Sequence, residues 1–231
     1  MQDRGSPRPV AMSEAGLNGD LFDFDVPAAT ASLAAGATLL RSFAREDEAL
    51  LMQAITQVIA ASPLRQMTTP GGYRMSVAMT NTGLVGWVSD ERGYRYDAVD
   101  PLTGAPWPRM PELFRDLAAR AALQAGFAGF EPDACLVNRY EPGARLSLHR
   151  DYDERDATAP IVSVSLGVPA RFLWGGLKRT DPTKRLPLLS GDVVVWGGPS
   201  RFVYHGIAPL KPGHHPLTGT NRFNLTFRKA R

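Results

Sequence analysis

The sequence predicts an α+β fold that is mainly β: a sandwich or barrel supported by two helices. After Gly126 come seven short segments rich in Val, Leu, Phe and Tyr and separated by Gly or Pro, the signature of a many-stranded β layer. Before Gly126, two stretches space their apolar residues with a helical period. The 231 residues are 44% hydrophobic and 21% charged, which excludes a disordered, collagenous or coiled-coil chain. With about 150 residues as a usual domain, that length fits one domain with elaborations, taken as residues 31–231.

Residues 1–30 mix Gly, Pro, Ala and acids without sustained periodicity and read as a mobile tail. The apolar stretch from Val26 to Leu40 is mostly Ala broken by Thr, Ser and Gly, too short and polar to span a bilayer. Arg4 and Arg8 are followed by Ser13, Glu14, Asn18 and Asp20 where a secretory leader would carry its apolar core. A cytoplasmic protein without membrane contact is therefore expected. A single cysteine, Cys135, excludes an internal disulfide framework and Cys-rich metal sites.

The first helix is expected over 45–61, where Leu51, Met52, Ile55, Val58 and Ile59 share a face and the pattern stops before Pro63. The second starts at Pro111, a good first-turn residue, runs through Leu113, Phe114, Leu117 and Ala121, and stops at Gly126. Between them, residues 63–109 read as short strands and loops. Here Tyr73, Trp87, Tyr94, Tyr96 and Trp107 interleave with Arg74, Arg92 and Arg95. Two readings stand: the rings fill a satellite core, or they stack nucleobases while the arginines touch phosphates. The net charge of +3 permits a polyanionic partner without a strong steering field. Strands are expected near 134–140, 145–151, 161–167, 171–174, 192–196, 202–207 and 222–227. Alternation along the first places Asn138 and Tyr140 on one face, a polar pair that suggests a ligand pocket inside the barrel.

Four histidines occur. His149 and Asp151 lie two apart on an expected strand and so point to one side, where both could grip one metal ion. His205, on another expected strand, could complete a His-Asp-His set across the barrel. Two imidazoles and one carboxylate with open positions suit non-haem Fe(II), although each histidine could instead be a satisfied core residue. His214 and His215 read as solvated loop residues. Arg222, Asn224 and Arg228 sit an even number apart on the last strand and share its face against Phe223, Leu225 and Phe227. Two fixed guanidinium groups suit a dicarboxylate.

Taken together, Pro70-Gly71-Gly72-Tyr73, Asn138-Arg139-Tyr140, the run from His149 to Glu154, Gly191 to Gly198, Tyr204-His205-Gly206 and Arg222 to Arg228 resemble the bacterial AlkB family of Fe(II)- and 2-oxoglutarate-dependent dioxygenases that repair alkylated DNA. The resemblance runs in order from about Asp20 to Arg228. It implies a double-stranded β-helix, or jelly roll, over about 130–231, and an N-terminal nucleotide-recognition lid over about 63–109. It further implies Fe(II) on His149, Asp151 and His205, and 2-oxoglutarate held by the Asn138-Arg139-Tyr140 run with Arg222, Asn224 and Arg228. Substrate contacts would fall on Trp87, Tyr94, Arg95, Tyr96, Asp153 and Arg179, with Thr69 and Tyr73 on phosphates, and Trp87 and His149 would sandwich the damaged base. The implied partner is alkylated DNA, single-stranded or with a flipped base, with RNA left open and the enzyme a monomer. Arg150 and Tyr152 depart from the best-known members, which bears on substrate and strand preference more than on iron chemistry. Two rivals remain: an Fe(II)/2-oxoglutarate hydroxylase of a protein or small metabolite, and a non-enzymatic jelly-roll binding module.

Overall fold

The computed structural model describes residues 30–231, so the expected tail over 1–30 lies, but for Thr30, outside the described residues. In chain order the elements are β1 (Thr30–Ala34), β2 (Ala37–Leu40), α1 (Glu48–Ala61), β3 (Ala78–Gly83), β4 (Gly86–Asp90), β5 (Gly93–Asp97), α2 (Glu112–Gln124), β6 (Ala134–Tyr140), β7 (Leu146–His149), β8 (Ile161–Gly167), β9 (Ala170–Trp174), β10 (Lys184–Leu188), β11 (Val193–Trp196), β12 (His205–Ile207) and β13 (Arg222–Arg228). A large sheet has the order β1-β2-β11-β8-β13-β6-β3 and a small one the order β10-β9-β12-β7, while β4 and β5 form a separate hairpin. From β6 to β13 the chain passes back and forth between the large and small sheets, all pairs antiparallel. That path is the jelly roll. No helix among the described residues is long and apolar enough to cross a membrane.

Strand alternation divides the molecule into two cores. On the outer face of the large sheet, Cys135 and Val137, Val162 and Val164, Val193 and Val195, and Phe223, Leu225 and Phe227 pack against Leu51, Ile55 and Val58 of α1 and Phe114, Leu117 and Ala121 of α2. The opposite faces of the same strands look between the sheets, where Leu136, Tyr140, Ile161, Val194 and Trp196 meet Phe172, Trp174 and Ile207. Cys135 is fully buried behind the helices, and burial pushes its thiol well above the ordinary range.

The structure differs from expectation at the edges. The segment 63–109 is not all lid, because β3 pairs with β6 and extends the large sheet. Strands β1, β2 and β10 have no counterpart among the expected ones; β10 is an edge strand whose first residues are exposed and which contains Pro187, so it carries no clear apolar alternation. Helix α1 begins at Glu48, and Pro111 precedes the first residue of α2. The expected strand 145–151 ends at His149, and the one at 202–207 begins only at His205.

A bulge accounts for the way β7 presents its residues. His205 pairs with His149 and Ile207 with Leu146, so three steps along β7 oppose two along β12. Leu146 packs into the core between the sheets, and the extra residue lets His149, an odd number of positions away, turn to the same side. The bulged backbone presses on Gly206, where a Cβ would stand 2.6 Å from the Leu146 carbonyl oxygen and 3.2 Å from Leu148 N. Only glycine fits there without parting the strands. Gly206→Ala is expected to lower stability by about 1–3 kcal/mol in urea unfolding, the usual cost of an overpacked site. An unchanged midpoint would show that the bulge tolerates a side chain.

Candidate active site

His149 and His205 face each other across β7 and β12 with ring centroids 4.4 Å apart. Each ring has its Nδ1 on the backbone carbonyl two residues earlier, Ser147 at 2.9 Å and Val203 at 3.0 Å. A carbonyl only accepts, so Nδ1 carries the proton, and in the neutral ring that tautomer leaves the Nε2 lone pair for a metal. His149 Nε2 lies 3.7 Å from Asp151 Oδ1, and one donor atom from each of His149, Asp151 and His205 falls within 4.8 Å of the others. Burial, then the neighbouring His149 ring, pushes His205 down to about 4, which keeps it neutral as a metal ligand must be. Hydrogen bonding of the far ring nitrogen is what orients a ligating histidine. The donor set therefore fits Fe(II).

Asp151 is brought in by a different route from the one its spacing suggested. It lies beyond the end of β7 and is held by charge. Arg228 donates from Nε (3.0 Å) and Nη2 (2.9 Å) to Asp151 Oδ2, and its Nε lies 3.2 Å from Glu154 Oε1. Arg201 donates from Nη1 to the Asp151 carbonyl at 2.9 Å, and from Nη2 to Glu154 Oε2 at 3.0 Å. Tyr96 completes the cluster by donating to Glu154 Oε1 at 2.6 Å. Burial works against the Asp151 charge, but the Arg228 guanidinium holds its carboxyl well below the usual range. Burial likewise opposes the Arg228 charge, and Asp151 foremost holds its proton above the usual arginine range. Arg201 was missed as a site residue, and Glu154, although it ends the run that starts at His149, was given no role, for their partners lie up to 50 and 74 positions away. Arg228, expected as one arm of a dicarboxylate grip, is here engaged by Asp151 and Glu154.

The inner face of the large sheet carries a polar stripe from three adjacent strands. Asn224 stands opposite Asn138 on β6 and Ser165 on β8. Asn138 donates to Asn224 Oδ1 at 3.1 Å, and Asn224 Nδ2 donates to Ser163 Oγ at 2.9 Å. Arg222, only 1% exposed, donates to Ser165 Oγ at 3.0 Å and rests over the Tyr140 ring at 4.9 Å. Its Nε and Nη1, and Asn138 Oδ1, are buried without a hydrogen-bond partner. Burial pushes the Arg222 guanidinium below its ordinary value, so its charge is under-compensated by what surrounds it. Orphaned donors on a buried cation are what a carboxylate would satisfy. Arg139 does not join them: it lies on the opposite face of β6, half-buried, with Nη2 2.9 Å from Glu141, because strand neighbours point to opposite sides.

Beside this inner face sits the β4–β5 hairpin, with Trp87 packed on the core between the sheets. Trp87 donates from Nε1 to Asp153 Oδ2 at 2.8 Å and stacks on Tyr94 at 5.6 Å and 13°. Asn81 of β3, not singled out from the sequence, holds the Trp87 backbone by accepting from its N–H and donating to its carbonyl, both at 3.0 Å. Tyr94, Arg95, Tyr96 and Asp153 line an open cleft of about 620 Å³ together with Arg155 and Arg231. Arg95 makes a two-pronged contact with Asp90 at 2.9 Å for each arm, so it braces the hairpin. Thr69 and Tyr73 bond each other across an exposed turn, and Arg179 is exposed in the turn between β9 and β10. His215 lies 4.0 Å from Glu48, away from the other two histidines.

A jelly roll with this donor set, and a buried unsatisfied arginine on the inner face of its large sheet, defines the class of Fe(II)- and 2-oxoglutarate-dependent dioxygenases. Residues 36–228 match the 2OG-Fe(II) oxygenase superfamily. The alpha-ketoglutarate-dependent dioxygenase AlkB of Escherichia coli (strain K12) is 62% identical over 198 residues, 86% of this chain and 92% of its own length. That of Salmonella typhimurium is 58% identical over 211 residues, 91% of this chain and 97% of its own. The solved structure of OsALKBH1 has a TM-score of 0.75 at 30% identity, covering 87% of this chain and 99% of that one. The chain belongs to the AlkB family. It is an enzyme that uses Fe(II) and α-ketoglutarate (2-oxoglutarate), and the binding-module rival falls away.

The buried cluster generates a prediction. Arg201→Ala would free the Asp151 loop and leave Glu154 half-paired, and Fe(II) affinity is expected to fall about 10- to 100-fold, as it does when groups that orient metal ligands are removed. Anaerobic Fe(II) titration of folded protein checks this; an unchanged affinity would mean that Arg228 alone fixes Asp151.

Proposed function

We propose that this dioxygenase removes methyl groups from the ring nitrogens of nucleobases, with 1-methyladenine and 3-methylcytosine in DNA as its substrates and RNA within reach of the same site. The observation that carries the reading is the Trp87–Asp153 pair: an indole face whose edge is fixed by a carboxylate, on a hairpin beside the metal-ligand set. Both bases are cationic when methylated, and a cation is favoured by an aromatic face and by a nearby carboxylate. The AlkB family membership supports it as well. A hydroxylase of a protein or metabolite would have less use for a cleft lined by Tyr94, Tyr96, Arg155 and Arg231.

In this reading His149, Asp151 and His205 hold Fe(II), and Arg222, Asn138, Asn224 and Tyr140 hold 2-oxoglutarate. When bound, iron with 2-oxoglutarate and O₂ supplies the oxidation of the N-methyl carbon, whose hydroxymethyl product leaves as formaldehyde while succinate and CO₂ are released. Arg222 fixes the co-substrate by paired hydrogen bonds. Arg228 and Arg201 hold Asp151 in place, and the two Nδ1–H groups keep the imidazoles turned inward. The β4–β5 hairpin, the lid portion of 63–109, places the base with Trp87 on one side and His149 on the other, with Thr69, Tyr73 and Arg179 toward the strand. The methyl sits on the pairing edge, so the enzyme takes a single strand or a flipped base. It works as a monomer in the cytoplasm, and residues 31–231 form one domain.

The test is mass spectrometry of a 1-methyladenine oligonucleotide incubated with the Fe(II)-reconstituted protein, 2-oxoglutarate and O₂, beside a His149→Ala control. Loss of one methylene mass in step with formaldehyde and succinate is expected, and none in the control. Succinate release from a still methylated oligonucleotide would move the substrate elsewhere. Asp153→Asn keeps an acceptor for the Trp87 N–H and removes only the charge. It is expected to lower kcat/KM for the cationic bases about 10-fold, as loss of a charged hydrogen-bond partner does, and to spare neutral lesions. Equal losses on both would remove Asp153 from cation recognition.

A further inference from the structure

Arg150 and Tyr152 bracket Asp151, and neither has a part in the chemistry above. Arg150 lies with its guanidinium carbon 4.9 Å from the centre of the Tyr152 ring and 5.6 Å from that of Tyr204. Phe202 packs on the far partner of this pair, its ring 5.8 Å from that of Tyr152 at 52°. Arg201, already fixed on Asp151 and Glu154, lies 5.4 Å from the Phe202 ring. Tyr152 nevertheless remains 66% exposed. A flat ring is thus held in one orientation by a cation and a second ring while most of it faces water. Its supports are chain neighbours of the metal-ligand set, Arg150 lying between His149 and Asp151 and Tyr204 standing next to His205.

Extracting one base from a strand leaves each flanking base with an uncovered face, and an exposed aromatic ring replaces the lost stacking whatever the base. We propose that Tyr152, braced by Arg150, is a stacking ledge for the nucleobase adjacent to the one being demethylated, the cation also drawing in the intervening phosphate. This rests on the proposed action on nucleic acid and adds a determinant of how much strand the enzyme needs.

Pentanucleotides with a central 1-methyladenine test it, with the flanking position on either side carrying a base or an abasic sugar. For the wild-type enzyme an abasic site on the stacked side is expected to raise KM about 5- to 100-fold, the range of base–aromatic stacking. Tyr152→Ala should raise KM for the intact strand by the same factor and show no further rise on the abasic strand, because the two changes remove one contact. Tyr152→Phe should match the wild type, and kcat should stay constant throughout. An unchanged KM in Tyr152→Ala, or an equal rise on intact and abasic strands, overturns the ledge. If the wild-type enzyme demethylates no oligonucleotide, the substrate reading has failed by itself. The ledge is then read from 2-aminopurine fluorescence in an unmethylated strand: quenching by the wild type and not by Tyr152→Ala sustains it, and equal signals refute it.

Discussion

Four buried charges hold the candidate site together. Asp151, Glu154, Arg201 and Arg228 are two anions and two cations whose side chains are at most 8% exposed. Removed from water singly, each would be costly; together they are neutral, and nearly every contact is short and directed. What the cluster provides is position. Asp151 has no strand to place it, and its carboxylate is pinned by Arg228 from β13 while its carbonyl is pinned by Arg201. Glu154 then ties the same cluster to Tyr96 on the hairpin. A metal ligand, the last strand of the roll and the hairpin beside the cleft are thus fixed by one set of hydrogen bonds.

The other organising constraint is the two-faced strand. Along β13, Phe223, Leu225 and Phe227 seal the helix layer while Arg222, Asn224, Thr226 and Arg228 face inward between the sheets. Every residue of this strand is buried, yet its two faces meet different surroundings: hydrocarbon on one side, and a stripe of polar groups on the other. Neighbours β6 and β8 repeat the division with Asn138 and Ser165 in register. A large polar stripe is stable inside a protein only if its members satisfy one another, and the Asn138–Asn224–Ser163 chain does that. Asn138 Oδ1 and two nitrogens of Arg222 are left short, and the arginine, as the cation, is the point at which a ligand carboxylate would bind.

These two constraints were legible in the sequence to different degrees. Alternation is local, so the faces of β6 and β13, and with them Asn138, Tyr140, Arg222 and Asn224, could be read off directly. His149 and His205 were also readable as a pair, though the bulge opposite Gly206 that turns His149 inward was not. Arg139 shows the limit of a motif: three adjacent residues match a family pattern, but a strand sends the middle one the other way. Asp151 was placed by the wrong argument, since the strand stops short of it. Glu154 and Arg201 act through partners distant in the chain, and Asn81 through the backbone of Trp87 six residues on, a contact that no side-chain pattern marks.

The burial of Cys135 has a bearing on the setting in which such an enzyme would work. The reagents that methylate bases are electrophiles, and the most reactive target a protein offers them is a thiolate. This chain has one cysteine, sealed behind α1 and α2 on the outer face of the large sheet, with its proton held firmly by burial. On the proposed function, the one thiol of the catalyst is kept from the agents whose damage the enzyme reverses.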